Sequence, residues 1–279
     1  MKDWLLRLIP AIFRGNRPVV HAIRLTGVVG SVSPLRPGLS MHAVEATLKR
    51  AFSRKGLAAV AIQVNSPGGS AVQSALIHAR IRVLAEKHNT PVLVFCEDVA
   101  ASGGYWIACS GDEIYADASS IVGSIGVIAA GFGFVDAIAR LGIERRVHTA
   151  GENKSILDPF QPEKPEDVAR LLAIQGDVHD EFKTLVRTRR AGKLKGDESE
   201  LFSGAFWSGR KALELGLIDG LGHMHEVLAR RFGEKLDIRL IEKPQGWGLR
   251  RLGFSSAEAV LGRLAAALEE RAMWSRFGL

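Results

Sequence analysis

The sequence predicts an α/β protein in which helices cover a mostly parallel β-sheet. Short apolar segments such as AAVAIQV and PVLVFC alternate along the chain with segments whose apolar residues have helical spacing. Such alternation is typical of parallel strands joined by helical crossovers. Glycine-rich turns follow two of the apolar segments, as expected where a buried strand ends.

These patterns predict the elements in chain order. Strands are expected at 19–29, 58–64, 91–96, 113–116, 122–128 and 145–149. Helices are expected at 40–52, 70–86, from about 102, at 134–141 and, the longest, at 164–190. A basic loop at 192–196 leads into a small unit at 206–222, whose glycines close a helix and a turn.

The 279 residues suffice for one large domain, which we place at 19–243 between extensions at 1–18 and 244–279. The N-terminal segment MKDWLLRLIP is too short to span a bilayer and has no small-residue cleavage site. An amphipathic helix is expected there and another at 257–277, each lying on a membrane surface or on a partner subunit.

Composition and cysteine usage exclude several classes of protein. The net charge is +7, but no nucleic-acid motif accompanies it, so we expect no nucleic acid partner. Cys96 and Cys109 fall in apolar segments and are predicted to be small buried side chains. His223 and His225 lack a third ligand at suitable spacing, so we expect no metal.

The two glycine-rich turns are the candidate site. Residues 65–69, NSPGG, follow one strand, and Ser102-Gly103-Gly104 follow the next. Ligands bind at the carboxyl ends of parallel strands, so both turns could face one cleft. Neither turn has the spacing of a strong phosphate-binding loop, so an oxyanion hole beside a nucleophilic Ser102 is the better reading of the exposed N–H groups. A plain helix cap at Ser102 is the alternative.

A serine nucleophile needs a base. None of the eight histidines stands in a pattern that marks a catalytic triad. Lys154 follows the expected strand at 145–149 and so leaves the carboxyl edge of the sheet. A lysine base acts only when it is unprotonated, so a neutral to alkaline pH optimum is expected.

Taken together, the motifs resemble the signal peptide peptidase A family of serine peptidases with a Ser/Lys dyad. The resemblance rests on five segments in family order, NSPGG, AASGGYWIA, GSIGVI, GENKSILDPF and FWSGRKALELGLIDGLG, and covers about residues 19–230. It implies the fold of Clp-type peptidases and crotonases, built from repeated ββα units, with helical extensions at the termini.

The resemblance also implies roles for matching residues. Ser102 would be the nucleophile and Lys154 the general base, while Ser124 would orient the lysine amine. The N–H groups of Gly69 and Gly103 would form the oxyanion hole, although Gly68 could replace Gly69 as the donor. No cofactor is implied.

Family members assemble into rings or domes, so a homo-oligomer of four or more subunits is expected, acting on hydrophobic peptides such as signal peptides or membrane-protein fragments. Active sites in single-copy members can be completed at subunit contacts. Familiar members carry an N-terminal transmembrane anchor, and we expect none here because the first apolar run is too short. We therefore expect a cytoplasmic location or peripheral contact with the cytoplasmic side of the membrane.

Two other functions stay open. A crotonase-like acyl-CoA enzyme would share the fold and the oxyanion hole but would need acidic catalytic residues in the cleft. A catalytically silent scaffold in a membrane-associated complex would not need Ser102, Lys154 and Ser124 together.

Overall fold

A computed structural model describes residues 17–33, 36–242, 267–268 and 270–279. The amphipathic segment expected near the N-terminus and the first part of the helix expected at 257–277 fall outside these residues. The chain is helical at 267–268 and 270–275, which agrees with the helix expected at 257–277. Among the described residues, no helix combines the length and hydropathy that a bilayer crossing requires.

A parallel sheet forms the centre of the molecule, with strand order β10-β1-β4-β5-β6-β9. Its strands are β1 (Val19–Thr26), β4 (Ala59–Ser66), β5 (Val92–Ala101), β6 (Glu113–Ala116), β9 (Gly220–Leu221) and β10 (Asp237–Leu240). Beyond the main order, β7 (Ile121–Gly123) pairs in parallel with the last residues of β5, and β8 (Phe206–Ser208) pairs antiparallel with β7. A separate hairpin is formed by β2 (Ser31–Ser33) and β3 (Arg36–Pro37).

Helices pack on both faces of this sheet. The helices of the described residues are α1 (Met41–Phe52), α2 (Ala71–His88), α3 (Gly103–Ala108), α4 (Val135–Arg140), α5 (Pro165–Arg189), α6 (Glu198–Leu201), α7 (Gly209–Glu214) and α8 (Met224–Phe232), of which α4 has no buried residue. The larger core cluster lies between the sheet and α1, α2, α3 and α5. The smaller cluster places Met224, Val227 and Leu228 of α8 against the other face. The predicted α/β class is therefore confirmed.

Local sequence explains where the first helices begin. Ser40 and Ser70 precede α1 and α2, and each hydroxyl accepts a hydrogen bond from the backbone N–H three residues on. Asn89 ends α2 in the left-handed conformation, with φ at 46°. These caps fix the two crossovers that lead into and out of β4.

Two of the strands predicted after residue 102 differ from the structure. Residues 145–149 form no strand, because this segment is exposed and does not pair with the sheet. The strand predicted at 122–128 ends at Gly123, since Ser124 has a φ of 54°, which turns the chain out of the extended conformation. The sequence had predicted that Lys154 follows a strand, and this prediction is wrong.

Candidate active site

Ser102 lies at the sharp turn between β5 and α3. The predicted strand at 91–96 continues to Ala101, so the serine follows the strand directly. Its backbone has φ 52° and ψ −122°, a conformation that residues with a Cβ rarely adopt. Its N–H donates to the carbonyl of Gly123 at 2.8 Å, which ties the turn to β7. The Ser102 side chain makes no capping hydrogen bond to α3, so its hydroxyl does not serve as a helix cap.

The two glycine-rich turns touch each other, as the sequence predicts. A Cβ on Gly68 would lie 2.7 Å from the Cβ of Ser102 and 2.9 Å from the nitrogen of Gly103. A Cβ on Gly103 would lie 3.3 Å from the nitrogen of Gly69 and 2.4 Å from Oγ of Ser74. Glycine is required here because the two backbones approach more closely than side chains allow.

The contact leaves two backbone donors beside Ser102. Gly103 is the first residue of α3, so its N–H has no acceptor within the helix. The N–H of Gly68 donates to Oγ of Ser66 at 3.2 Å, while that of Gly69 has no acceptor among the described residues. The geometry thus favours Gly69 over Gly68 as the available donor of the pair.

An irregularity in the sheet positions the end of β5. The pairing of β4 with β5 shifts between Val64, opposite Cys96, and Ser66, opposite Ala100. The buried side chain of Asn65 fills this bulge: its Nδ2 donates to Asp98 at 2.6 Å, and its Oδ1 accepts from the N–H of Val99 at 3.2 Å. Bulges commonly redirect a strand next to a functional site, and this one precedes Ser102.

Two cavities adjoin Ser102. The larger is about 270 Å³ and also contains Ser124, which is buried and whose N–H donates to the carbonyl of Ala205 at 2.7 Å. The smaller, of about 220 Å³, is largely apolar and is lined by Trp106, Val127, Ile128, Val178, Phe182 and Met273, among others. Such walls suit the apolar groups of a ligand.

Lys154 lies apart from these cavities. It is exposed within a series of turns at 151–157 and lines neither of the two spaces beside Ser102. The following turn is anchored locally, since Arg145 forms an ion pair with Asp158 at 3.2 Å and lies over the ring of Phe160. The structure therefore brings together Ser102, Ser124, Gly69 and Gly103, whereas Lys154 stays on the surface of the same chain.

The two cysteines behind the site are poor nucleophiles. Cys96 and Cys109 are free and buried, as predicted, and burial raises the pKa of each thiol to about 12. A thiol with such a pKa remains protonated near neutrality. Neither thiol is therefore a competing candidate to the Ser102 hydroxyl, which borders both cavities.

The sequence did not indicate every lining residue. His179 of α5, Ser203, Met273 and Arg276 border the cavities although they are remote from both turns in the chain. His179 interacts through Nε2 with the carbonyl of Ile125 at 3.1 Å, close to Ser124. A helical spacing at the C-terminus was the only sequence signal for Met273 and Arg276, and it did not indicate where that helix packs.

Comparison with known proteins supports a peptidase. Residues 85–235 match the model of Peptidase family S49, which covers more than half of the chain. A putative protease of Synechocystis sp., slr0021, is 31% identical over 95% of this chain and 93% of its own length. The chloroplastic serine protease SPPA of Arabidopsis thaliana is 31% identical over 82% of this chain and 33% of its own length.

A more similar sequence belongs to a longer protein. The Na(+)/H(+) antiporter NhaA of Brucella abortus is 51% identical over 99% of this chain, which spans only 39% of that protein's length. Among solved structures, the 1510-N membrane-bound stomatin-specific protease superposes with a TM-score of 0.51 at 16% identity, over 81% of this chain and 99% of the other. At that identity the likeness concerns the fold alone, and it confirms the predicted Clp-type α/β fold.

The family match supports a serine peptidase as the class of protein. The chain belongs to peptidase family S49, the signal peptide peptidase A family that its ordered motifs predict.

Proposed function

We propose that this chain is an endopeptidase that cleaves hydrophobic peptides or membrane-protein fragments through an acyl-enzyme on Ser102. The observation that carries the proposal is the setting of Ser102. This residue has a strained backbone and an uncapped hydroxyl, and it lies beside the N–H groups of Gly69 and Gly103 at an apolar cavity.

The proposed reaction has two steps. Oγ of Ser102 attacks the peptide carbonyl, its proton passes to the amine of Lys154, and the two glycine N–H groups stabilise the oxyanion. Lys154 returns the proton to the leaving amine as the C–N bond breaks, which leaves an ester on Ser102. Water, deprotonated by Lys154, then hydrolyses the ester and restores the serine. Ser124 would hold the lysine amine by a hydrogen bond.

Lys154 would act on Ser102 of a neighbouring copy in a homo-oligomer. This lysine is exposed on its own chain, and no residue from 127 to 166 is buried. The same segment exposes large apolar side chains, among them Phe132 and Leu141, at 81% and 72%. Exposed apolar surface of this kind marks a protein contact. A second copy placed there would cover these side chains and could bring Lys154 to the serine.

The alternatives have less support. Neither cavity beside Ser102 has an aspartate or glutamate among its described lining residues, whereas the acyl-CoA reading needs acidic groups there. The protein named as an antiporter is longer, and this chain matches only 39% of its length, so its name gives little support for transport by this chain. A silent scaffold would share the fold but would not react at Ser102.

The test is hydrolysis of fluorogenic apolar peptides by the wild type, Ser102→Ala and Lys154→Ala, with Lys164→Ala as a control at another exposed lysine. Hydrolysis is expected for the wild type and the control only. All four proteins should form oligomers of equal size, so that a loss of activity does not come from a loss of assembly. A fluorophosphonate should label the wild type and not Ser102→Ala. Absence of both hydrolysis and labelling in the wild type would favour the scaffold.

A further inference from the structure

The last residues of the chain pack directly behind the nucleophile. Phe277 is buried in a cluster with Val99 and Ala101, the residues that lead β5 into Ser102. The ring of Phe277 also meets that of Phe206 edge-on, with 5.1 Å between centroids. These contacts fix the C-terminal segment on the body of the molecule beside the cavities.

This packing places Arg276 at the candidate active site. Arg276 borders both cavities that Ser102 borders, and Met273 of the same segment borders one of them. The guanidinium lies 6.0 Å from the centroid of the Phe277 ring, and no ion pair with a described residue accompanies it. Arg276 is exposed at the edge of these two spaces, of which the smaller is largely apolar and the larger largely polar. The described lining residues include no carboxylate, so the positive charge has no counter-ion among them.

We propose that Arg276 is a specificity-determining residue that binds a carboxylate of the peptide in the cleft. The inference rests on the proposed peptidase function. A planar guanidinium pairs with a carboxylate through two parallel hydrogen bonds. The preferred peptide therefore combines apolar side chains, which contact Trp106 and Phe182, with one anionic group that reaches Arg276.

The carboxylate can come from two sources with the same chemistry. It can be the side chain of an aspartate or glutamate near the scissile bond, or the free C-terminus of a short peptide. The first source would select sites within long chains, and the second would select fragments already cut by another peptidase. Matched peptides separate the two.

The test measures binding as well as turnover, so that it does not depend on hydrolysis. An apolar fluorescent peptide is prepared as an amide, as a free acid, and as amides carrying Glu or Gln at each position in turn. Their affinities are measured by anisotropy on full-length Ser102→Ala, alone and with Arg276→Gln, Arg276→Lys or Arg271→Gln added. Arg271 is exposed on the same segment and lines neither cavity, so it is the matched control.

We expect one carboxylate peptide to bind about tenfold more tightly than its neutral partner, the effect of a charge-assisted hydrogen bond. Arg276→Gln should abolish the preference, Arg276→Lys should keep part of it, and Arg271→Gln should leave it unchanged. The same ratios should appear in kcat/KM with Ser102 restored. No preference for any carboxylate, or a preference that survives Arg276→Gln, would overturn the inference. Binding that follows this pattern without hydrolysis would instead count against the proposed function.

Discussion

Ser102 occupies a backbone conformation that glycine adopts more readily than serine, with φ 52° and ψ −122°. Residues held in such regions cost roughly 1–3 kcal/mol. The Ser102→Gly variant should therefore be more stable than Ser102→Ala, with a free energy of unfolding about 1 kcal/mol higher, because alanine keeps the backbone strain and glycine removes it. Both variants should be inactive, and urea unfolding at matched protein concentration measures the difference. Equal stability of the two would mean that the turn is not strained.

Asn65 is a positioning residue for the same turn. Asn65→Ala removes the acceptor of the buried Val99 N–H and the donor to Asp98, and it should destabilise the protein by about 1–3 kcal/mol. Because Val99 lies in β5 just before Ser102, kcat should fall more than KM rises. Gln63→Ala is the control: this residue lies on the same strand and donates to Glu97 at 2.8 Å outside the bulge. Similar kcat values for the two variants would contradict the positioning role.

At the scale of elements, a buried ion pair holds the end of α5 against the sheet. Arg190 is 2% exposed, donates from Nη1 to Asp219 at 2.6 Å and from Nε and Nη2 to the carbonyl of Gly216. Lys193 donates to the other oxygen of Asp219. Burial alone raises the pKa of Asp219, but the hydrogen bonds from Arg190 and Lys193 outweigh it and hold this pKa below its ordinary value.

A lowered pKa in the folded state gives this pair a defined pH dependence. The stabilisation is fully present above the unfolded pKa of about 4 and is lost as pH falls through the folded value. Asp219→Asn should cost about 3 kcal/mol at pH 7, since it leaves a buried guanidinium without its counter-charge. Measured by urea unfolding, the difference in free energy of unfolding between the variant and the wild type should become smaller below about pH 4. A difference that does not depend on pH would show that the charge of Asp219 contributes little to stability.

The elements also show how far the sequence predicts the fold. The buried strands and their capped helices were predictable, because apolar periodicity and N-terminal serines are local signals. The extension of β5 to Ala101 was not, since it depends on Asn65 filling a bulge from the neighbouring strand. The prediction of a strand at 145–149 was wrong, because the sequence RRVHT is also compatible with an exposed segment that does not pair with any strand.

The candidate site divides in the same way. Contact between the NSPGG and SGG turns follows from the order of parallel strands, so it could be predicted. The position of Arg276 depends on Phe277 packing against Val99 and Ala101, a contact between segments far apart in the chain. Local patterns do not specify such contacts. In the same way, the motif that contains Lys154 does not indicate whether this lysine acts on Ser102 of its own copy or of a neighbouring copy.

At the scale of the whole molecule, the separation of Ser102 from Lys154 makes a prediction about assembly. A closed homo-oligomer repeats the same contact around a ring, so each lysine would meet the serine of the next copy. Ser102→Ala and Lys154→Ala should each be inactive alone. When they are unfolded together and reassembled at equal amounts, roughly a quarter of the wild-type activity should return, because about one contact in four joins an intact serine to an intact lysine.

The control replaces the Lys154→Ala chain with the double variant Ser102→Ala, Lys154→Ala, and this mixture should stay inactive.

The Leu141→Glu variant should weaken assembly, because Leu141 is exposed on the segment that carries Lys154. Activity should then fall together with the size of the oligomer, measured by light scattering. A mixture of the two single variants that assembles fully but remains inactive would show that Lys154 does not act across copies. The segment 127–166 would then have to move within its own chain to bring the lysine to Ser102.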